Sequence, residues 1–157
     1  MTKRINAPIN LAMAALFSFA LFSLALAPSV ISKAHAEESI AVEEIEAIQD
    51  TITRQIDAFA HDDGETAFAF ASPTIQSIFS NAPTFMSMVR RGYPMIYRPQ
   101  AFNFLETRRR DGITAQAVQF IGFDGKGTIA LYVMERQADG SWRINGVTLV
   151  QQGGLES

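Results

Sequence analysis

Ile45, Ile48, Ile52, Ile56 and Phe59 recur at spacings of three and four, the period of one stripe on an α-helix. The spacing predicts a helix from about Val42 to His61 with a single buried face. Glu43, Glu44 and Glu46 crowd its first turns, where the positive end of the helix dipole favours them, and Asp62-Asp63-Gly64 ends it. Glu65–Ala71 and Thr74–Phe79 are short apolar-rich pieces separated by Ser72-Pro73. Pro83–Arg91 follows, with Pro83 suited to a first helical turn and Gly92 to a stop. Beyond Pro99 the period changes from helical to alternating, and Asp111-Gly112, Asp124-Gly125 and Asp139-Gly140 supply three hairpin turns. Strands are expected at Ala101–Arg108, Ile113–Ile121, Thr128–Arg136 and Trp142–Val150. Alternation in the last strand turns Trp142 and Ile144 toward the helices and Arg143 away. Helices first and a continuous antiparallel meander afterwards is the order of an α+β domain, with helices packed on one face of a curved four-stranded sheet.

The first 36 residues read differently. Lys3-Arg4 precedes Leu11–Ala27, 17 residues without a charge, and Ala34-His35-Ala36 follows. Basic start, apolar run and small-x-small site make a secretory signal peptide, with cleavage expected after Ala36 and a domain spanning residues 37–157, its core at about 40–150. The competing reading is an uncleaved anchor, for which 17 residues is at the short limit. The expected location is periplasmic or secreted, with membrane contact only through the leader before cleavage. The absence of cysteine excludes a lipidated thiol and a disulfide scaffold and suits an oxidising compartment.

Removal of the leader also changes the charge. The whole chain carries 13 basic and 16 acidic side chains, but Lys3, Arg4 and Lys33 all lie before residue 37, leaving 10 against 16 and a net charge of −6. A field of that sign disfavours nucleic acid as a partner.

Several stretches carry a family resemblance. Gln55-Ile-Asp-Ala-Phe-Ala-His-Asp-Asp-Gly64, Phe68-Ala-Phe-Ala-Ser-Pro73, Met88-Val-Arg-Arg-Gly-Tyr-Pro-Met-Ile-Tyr-Arg-Pro99 and Leu131-Tyr-Val-Met-Glu-Arg136 resemble the bacterial domain of unknown function 4864, over about residues 40–150. The helical first half, the meander and the closing Asp139-Gly-Ser-Trp-Arg-Ile144 also look like the nuclear-transport-factor-2-like superfamily. That resemblance implies a cone-shaped α+β fold with a cavity between helices and concave sheet. Some members use the cavity for catalysis on small apolar substrates and others for binding or dimerisation, so the fold does not carry a function across.

In the resembled fold, Arg90-Arg-Gly-Tyr-Pro-Met-Ile-Tyr-Arg-Pro99 passes near the mouth of the cone. Arg90, Tyr93, Tyr97 and Arg98 are therefore the candidate ligand-binding residues, offering two phenols and two guanidinium groups to an anionic or carbonyl-bearing ligand. The alternative is that the tyrosines pack at the rim and the arginines bond the carbonyls of a helix end. Pro94 between the tyrosines predicts an extended path there.

His61, the histidine that remains after the leader, stands beside Asp62 and Asp63, but adjacent residues do not share a helix face and do not make a metal site. Asp57, about 100° around the helix from Ile56, is expected at the boundary of the buried face. Neither His61 nor Asp57 has an identified partner for acid–base work, and no G-x-S-x-G motif is present. Arg108-Arg109-Arg110 reads as a solvated hairpin tip, and Gly122–Gly127 as a hairpin loop rather than a phosphate cradle. Most of the phenylalanines are expected in the core.

No metal and no cofactor is implied. The reading favoured is a non-catalytic module that binds a small-molecule ligand or a protein. The alternatives are an isomerase, dehydratase or cyclase using the cavity, and a structural homodimer formed through the sheet. Proton-transfer catalysis needs a base and an electrophilic stabiliser converging on one atom, and the sequence offers no such pair.

Overall fold

In a computed structural model, residues 39–150 are described; the leader, its cleavage site and the last seven residues lie outside them. Five helices precede four strands: α1 (Val42–Ala60), α2 (Gly64–Ala69), α3 (Pro73–Phe79), α4 (Ala82–Gly92), α5 (Pro94–Tyr97), then β1 (Ala101–Arg110), β2 (Ile113–Ile121), β3 (Gly127–Arg136) and β4 (Trp142–Val150). The strands form one antiparallel sheet in the order β1-β2-β3-β4. This is the α+β helix-then-meander architecture expected from the change of period.

Local chemistry explains the boundaries. Asp63, Ser72 and Asn81 each cap a helix by accepting from the backbone N–H three residues on, which satisfies a donor that the helix leaves open. Proline occupies the first turn of α3, α4 and α5, where its missing N–H costs nothing. Asp111 and Gly112 both take positive φ (52° and 76°), the mirror-image turn that matches strand twist in a two-residue hairpin.

The α1 stripe is buried as the spacing predicts: Ile48 and Ile52 are fully covered, with Ile56 and Phe59 beside them. They meet Val118 and Phe120 of β2, Ala130, Tyr132 and Met134 of β3, and Trp142 and Ile144 of β4 in one core. Trp142 and Ile144 are buried and Arg143 is not, as the alternation requires.

Two expectations are corrected. Pro94 begins a one-turn helix, α5, rather than an extended path; Tyr93 before it lies outside the helical region (φ −135°, ψ 50°), as the residue preceding proline tends to, and the helix starts after it. Arg109 does not belong to a solvated tip, because period-two alternation turns it toward α1, where its guanidinium meets Glu44 at 3.3 Å and Thr114 at 3.0 Å. Most of the phenylalanines do join the core, whereas Phe123 lies 80% exposed on the β2–β3 loop.

The meander is not regular. The β1–β2 register slips between Phe104 and Thr107, and the β3–β4 register slips at Met134, leaving Asn145 as the extra residue. Such bulges bend their strands and shift the side-chain phase by one. In β1 the inward set runs Phe102, Phe104, then Thr107 and Arg109; in β4 it runs Trp142, Ile144, then Val147 and Leu149. Buried Gln116 fills in at the first bulge, donating toward the carbonyls of Leu105 and Glu106 at 3.3 Å and of Ala117 at 2.8 Å.

Candidate functional site

The chain order that brings helices over a bent sheet leaves a partly open cavity of about 240 Å³. Gln55 and Phe59 of α1 form its roof, with Phe85, Met88 and Val89 of α4. Tyr93 and Ile96 close one side; Ala71, Ile75 and Phe79 close another. The floor is Tyr132 of β3 with Ile144, Gly146 and Val147 of β4.

The second bulge makes this floor, since strict alternation from Ile144 would turn Val147 away. Ser72 fixes the bulge: its hydroxyl lies 2.7 Å from Asn145 Oδ1, its N–H donates to Ile144 O at 2.8 Å, and Ile144 N–H donates to Phe70 O at 2.9 Å. Ala71 thereby joins β4 as an isolated bridge.

The lining is apolar except for Gln55, Tyr93 and Tyr132. Gln55 donates its amide to Ala67 O at 3.0 Å, and Tyr93 donates its hydroxyl to Val147 O at 3.1 Å. Tyr132 is fully buried, its ring 6.3 Å from that of Phe120, and its hydroxyl has no protein partner. Burial pushes this phenol far above its ordinary pKa, so it stays protonated and remains a hydrogen-bond donor.

The four residues singled out in the sequence divide into two groups. Tyr93 lines the cavity. Arg90, Tyr97 and Arg98 converge outside it, on Asp62, a partner that the sequence reading did not find. Arg90 donates to Asp62 Oδ1 at 3.1 Å and to the Tyr97 hydroxyl at 3.0 Å, and Arg98 donates to Asp62 Oδ2 at 2.6 Å. The Tyr97 hydroxyl also bonds Asp62 Oδ1, and both guanidinium carbons lie over the Tyr97 ring, 5.3 and 5.1 Å from its centre. Asp62 holds the turn between α1 and α2 at φ 58°, so the cluster ties that turn to the ends of α4 and α5. It secures the wall that carries Tyr93 and Ile96. Its side chains are about half exposed, and one carboxylate stands against two guanidinium groups.

The chain belongs to the domain of unknown function 4864 family. The family's sequence profile matches residues 41–156, which spans the helices, the meander and every residue of the cavity. No curated protein and no solved structure matches the chain.

Elsewhere in this family member, His61 pairs with Asp57 at i, i+4, its Nδ1 3.5 Å from the carboxylate and 2.9 Å from the Asp57 carbonyl. Both side chains are more than two-thirds exposed and neither lines the cavity. Among the described residues no group of three or more His, Asp or Glu is placed to hold a metal ion, and no helix is long and apolar enough to cross a membrane.

Proposed function

We propose that the chain is an exported, non-catalytic binding module that holds one small apolar molecule in the cavity under α1 and α4. The observation that carries this is the lining: aromatic and aliphatic side chains around about 240 Å³, with three polar groups set among them. That is the composition of a small-molecule site. The absence of any Asp, Glu, His, Lys or Arg from the lining supports binding over catalysis, since proton transfer needs a titratable group near its working pH. Tyr132, with its pKa raised, is no base at neutral pH. Export rests on the basic start, apolar run and Ala34-His35-Ala36 order of the leader.

Thermal-shift screening of small uncharged aromatics tests the reading. A binder raises the melting midpoint in wild type and fails to in Val147→Phe, which fills the floor. Conversion of the bound compound to product would instead establish the isomerase, dehydratase or cyclase alternative.

A second reading, self-association through the sheet, is favoured by the outer face. Ile113, Ala117, Ile121, Leu131, Val133 and Val150 point away from the helices, with Arg110, Glu135 and Arg143 toward one end. Four strands about 4.8 Å apart and about 30 Å long cover roughly 550 Å². Two copies would bury about 1,100 Å², just below the standard interface range. Sedimentation that stays monomeric at high concentration, in wild type as in Leu131→Lys, would discard this reading.

A further inference from the structure

We infer that the ligand of this cavity is an amphipathic carboxylate, its apolar body inside and its carboxylate at the mouth, paired with the Arg91 guanidinium. The inference rests on the binding reading above and adds the head group of the molecule bound.

Exposure locates the mouth. Of the residues that line the cavity, Ile75, Phe79, Met88, Tyr93, Gly146 and Val147 are partly exposed and the rest are buried. The opening therefore lies between α3, the C-terminal half of α4 and β4. An apolar cavity of about 150 Å³ accepts benzene, so about 240 Å³ takes a body of about ten non-hydrogen atoms, a ring with a short chain. No charged side chain lines it, and an ion stripped of water without a partner is costly. A charge on the ligand has to stay at the opening.

Two observations set the sign of that charge. The first is where acids are missing. The chain has 16 of them, yet none occurs from Thr66 through Leu105 or in β4, so α3, α4, α5 and β4 present no carboxylate around the opening. The second is Arg91. Arg90 and Arg98 are directed at Asp62, whereas Arg91 is exposed and makes neither a hydrogen bond nor an ion pair with any described residue. In α4, Phe85 and Val89 are buried and fix the inward direction. Helical spacing sets Met88 about 80° to one side of them, Arg91 about 60° beyond Met88, and Arg90 about 120° to the other side, where it meets Asp62. Long side chains on a helix lean toward its N-terminus. Arg91 therefore leans back over the turn that holds Met88, at the rim of the opening. A guanidinium on the rim of an acid-free mouth, above an apolar cavity, complements a carboxylate that stays partly in water.

5-Phenylpentanoate, 4-phenylbutanol and 4-phenylbutylamine share one phenylbutyl body and differ in the charge of the head, so they separate the claims. Calorimetry at pH 7 uses residues 37–157, which contain the whole core. The acid should bind about fivefold more tightly than the alcohol, the upper range for an ion pair open to water, and the amine more weakly than the alcohol. In about 1 M salt the advantage of the acid should shrink. Arg91→Gln removes no protein contact of the side chain and should fold with an unchanged melting midpoint. In that variant the affinity of the acid should fall to that of the alcohol, while the alcohol binds as before.

An acid bound no more tightly than the alcohol, an amine bound as tightly as the acid, or an advantage that survives Arg91→Gln would overturn the head-group assignment while leaving the cavity a binding site. Failure of the acid and the alcohol alike to bind would refute the binding reading itself.

Discussion

Replacing Asp62 with Asn tests whether the Arg90–Tyr97–Arg98 cluster acts as an electrostatic clasp on the cavity wall. Asn accepts the left-handed backbone at φ 58° about as readily as Asp, so the change removes charge without adding backbone strain. The structure sets the magnitude. Two half-exposed ion pairs, at 3.1 and 2.6 Å, contribute about 0.2–1 kcal/mol each. The Tyr97 bond to a charged acceptor adds about 1.5 kcal/mol at most where solvent competes. Asn retains a neutral acceptor, so the expected loss is about 1–2 kcal/mol, or roughly 4–8 °C in melting midpoint for a domain of this size. The loss should shrink in about 1 M salt relative to about 0.01 M, because screening acts on exposed charges. Asp50→Asn is the control: its pair with Arg54 spans 3.6 Å with both side chains about two-thirds exposed, and it should cost under about 0.5 kcal/mol. Urea denaturation followed by Trp142 fluorescence measures both variants. No loss for Asp62→Asn at low salt, or a loss independent of salt, would refute the clasp.

Trp142→Ala should lower stability by about 3–5 kcal/mol, the range for a large buried aromatic, and an unchanged urea midpoint would place Trp142 at the surface. Gly64→Ala should destabilise by about 1 kcal/mol, because the added Cβ would lie 2.9 Å from Met86 Cγ and overpacking outweighs the backbone gain; Gly92→Ala, whose Cβ would meet nothing within 4 Å, should be neutral or slightly stabilising. Asp63 and Asp139 are held below their ordinary pKa of 3.8, chiefly by the side-chain hydrogen bonds with Thr66 and Ser141. A lowered folded value gives stability that is present above the unfolded pKa and lost as pH falls below about 4 toward the folded value. Asp63→Asn and Asp139→Asn should each flatten the urea midpoint's fall over that acid range, and an unaltered acid limb would remove these two carboxylates from the account.

Element type was legible because helix and strand periods differ and the two halves of the chain do not mix them. The α1 stripe, the Asp-Gly turns and the inward Trp142 all follow from spacing alone. Arg109 was misread because three consecutive arginines look alike by composition, whereas in a strand the middle one must face opposite its neighbours. Pro94 was misread for a comparable reason: proline breaks a helix that precedes it and starts one that follows it, and only the packing of Ile96 into the core selects between them.

The cavity was harder to read, since its floor depends on two phase errors in the alternation. Inward apolar residues at Trp142, Ile144, Val147 and Leu149 carry spacings of two, three and two, and a three inside a period-two run is the mark of a bulge. That signal was present in the sequence, and it places Val147 beside Tyr132 once β3 and β4 pair. Tyr132 itself sits in the set Ala130, Tyr132, Met134, opposite a set that ends in Glu135, so its inward direction was also readable. Its unpaired hydroxyl was not, because that depends on what Gln55 and Tyr93 find 12 and 54 residues away. The contacts of Asp62 with Arg90 and Arg98, 28 and 36 residues apart, were hidden in the same way. The guanidinium groups drew attention as unmatched charge, and the fold matches them locally. The polar group the fold leaves unmatched inside is a neutral one, the Tyr132 hydroxyl.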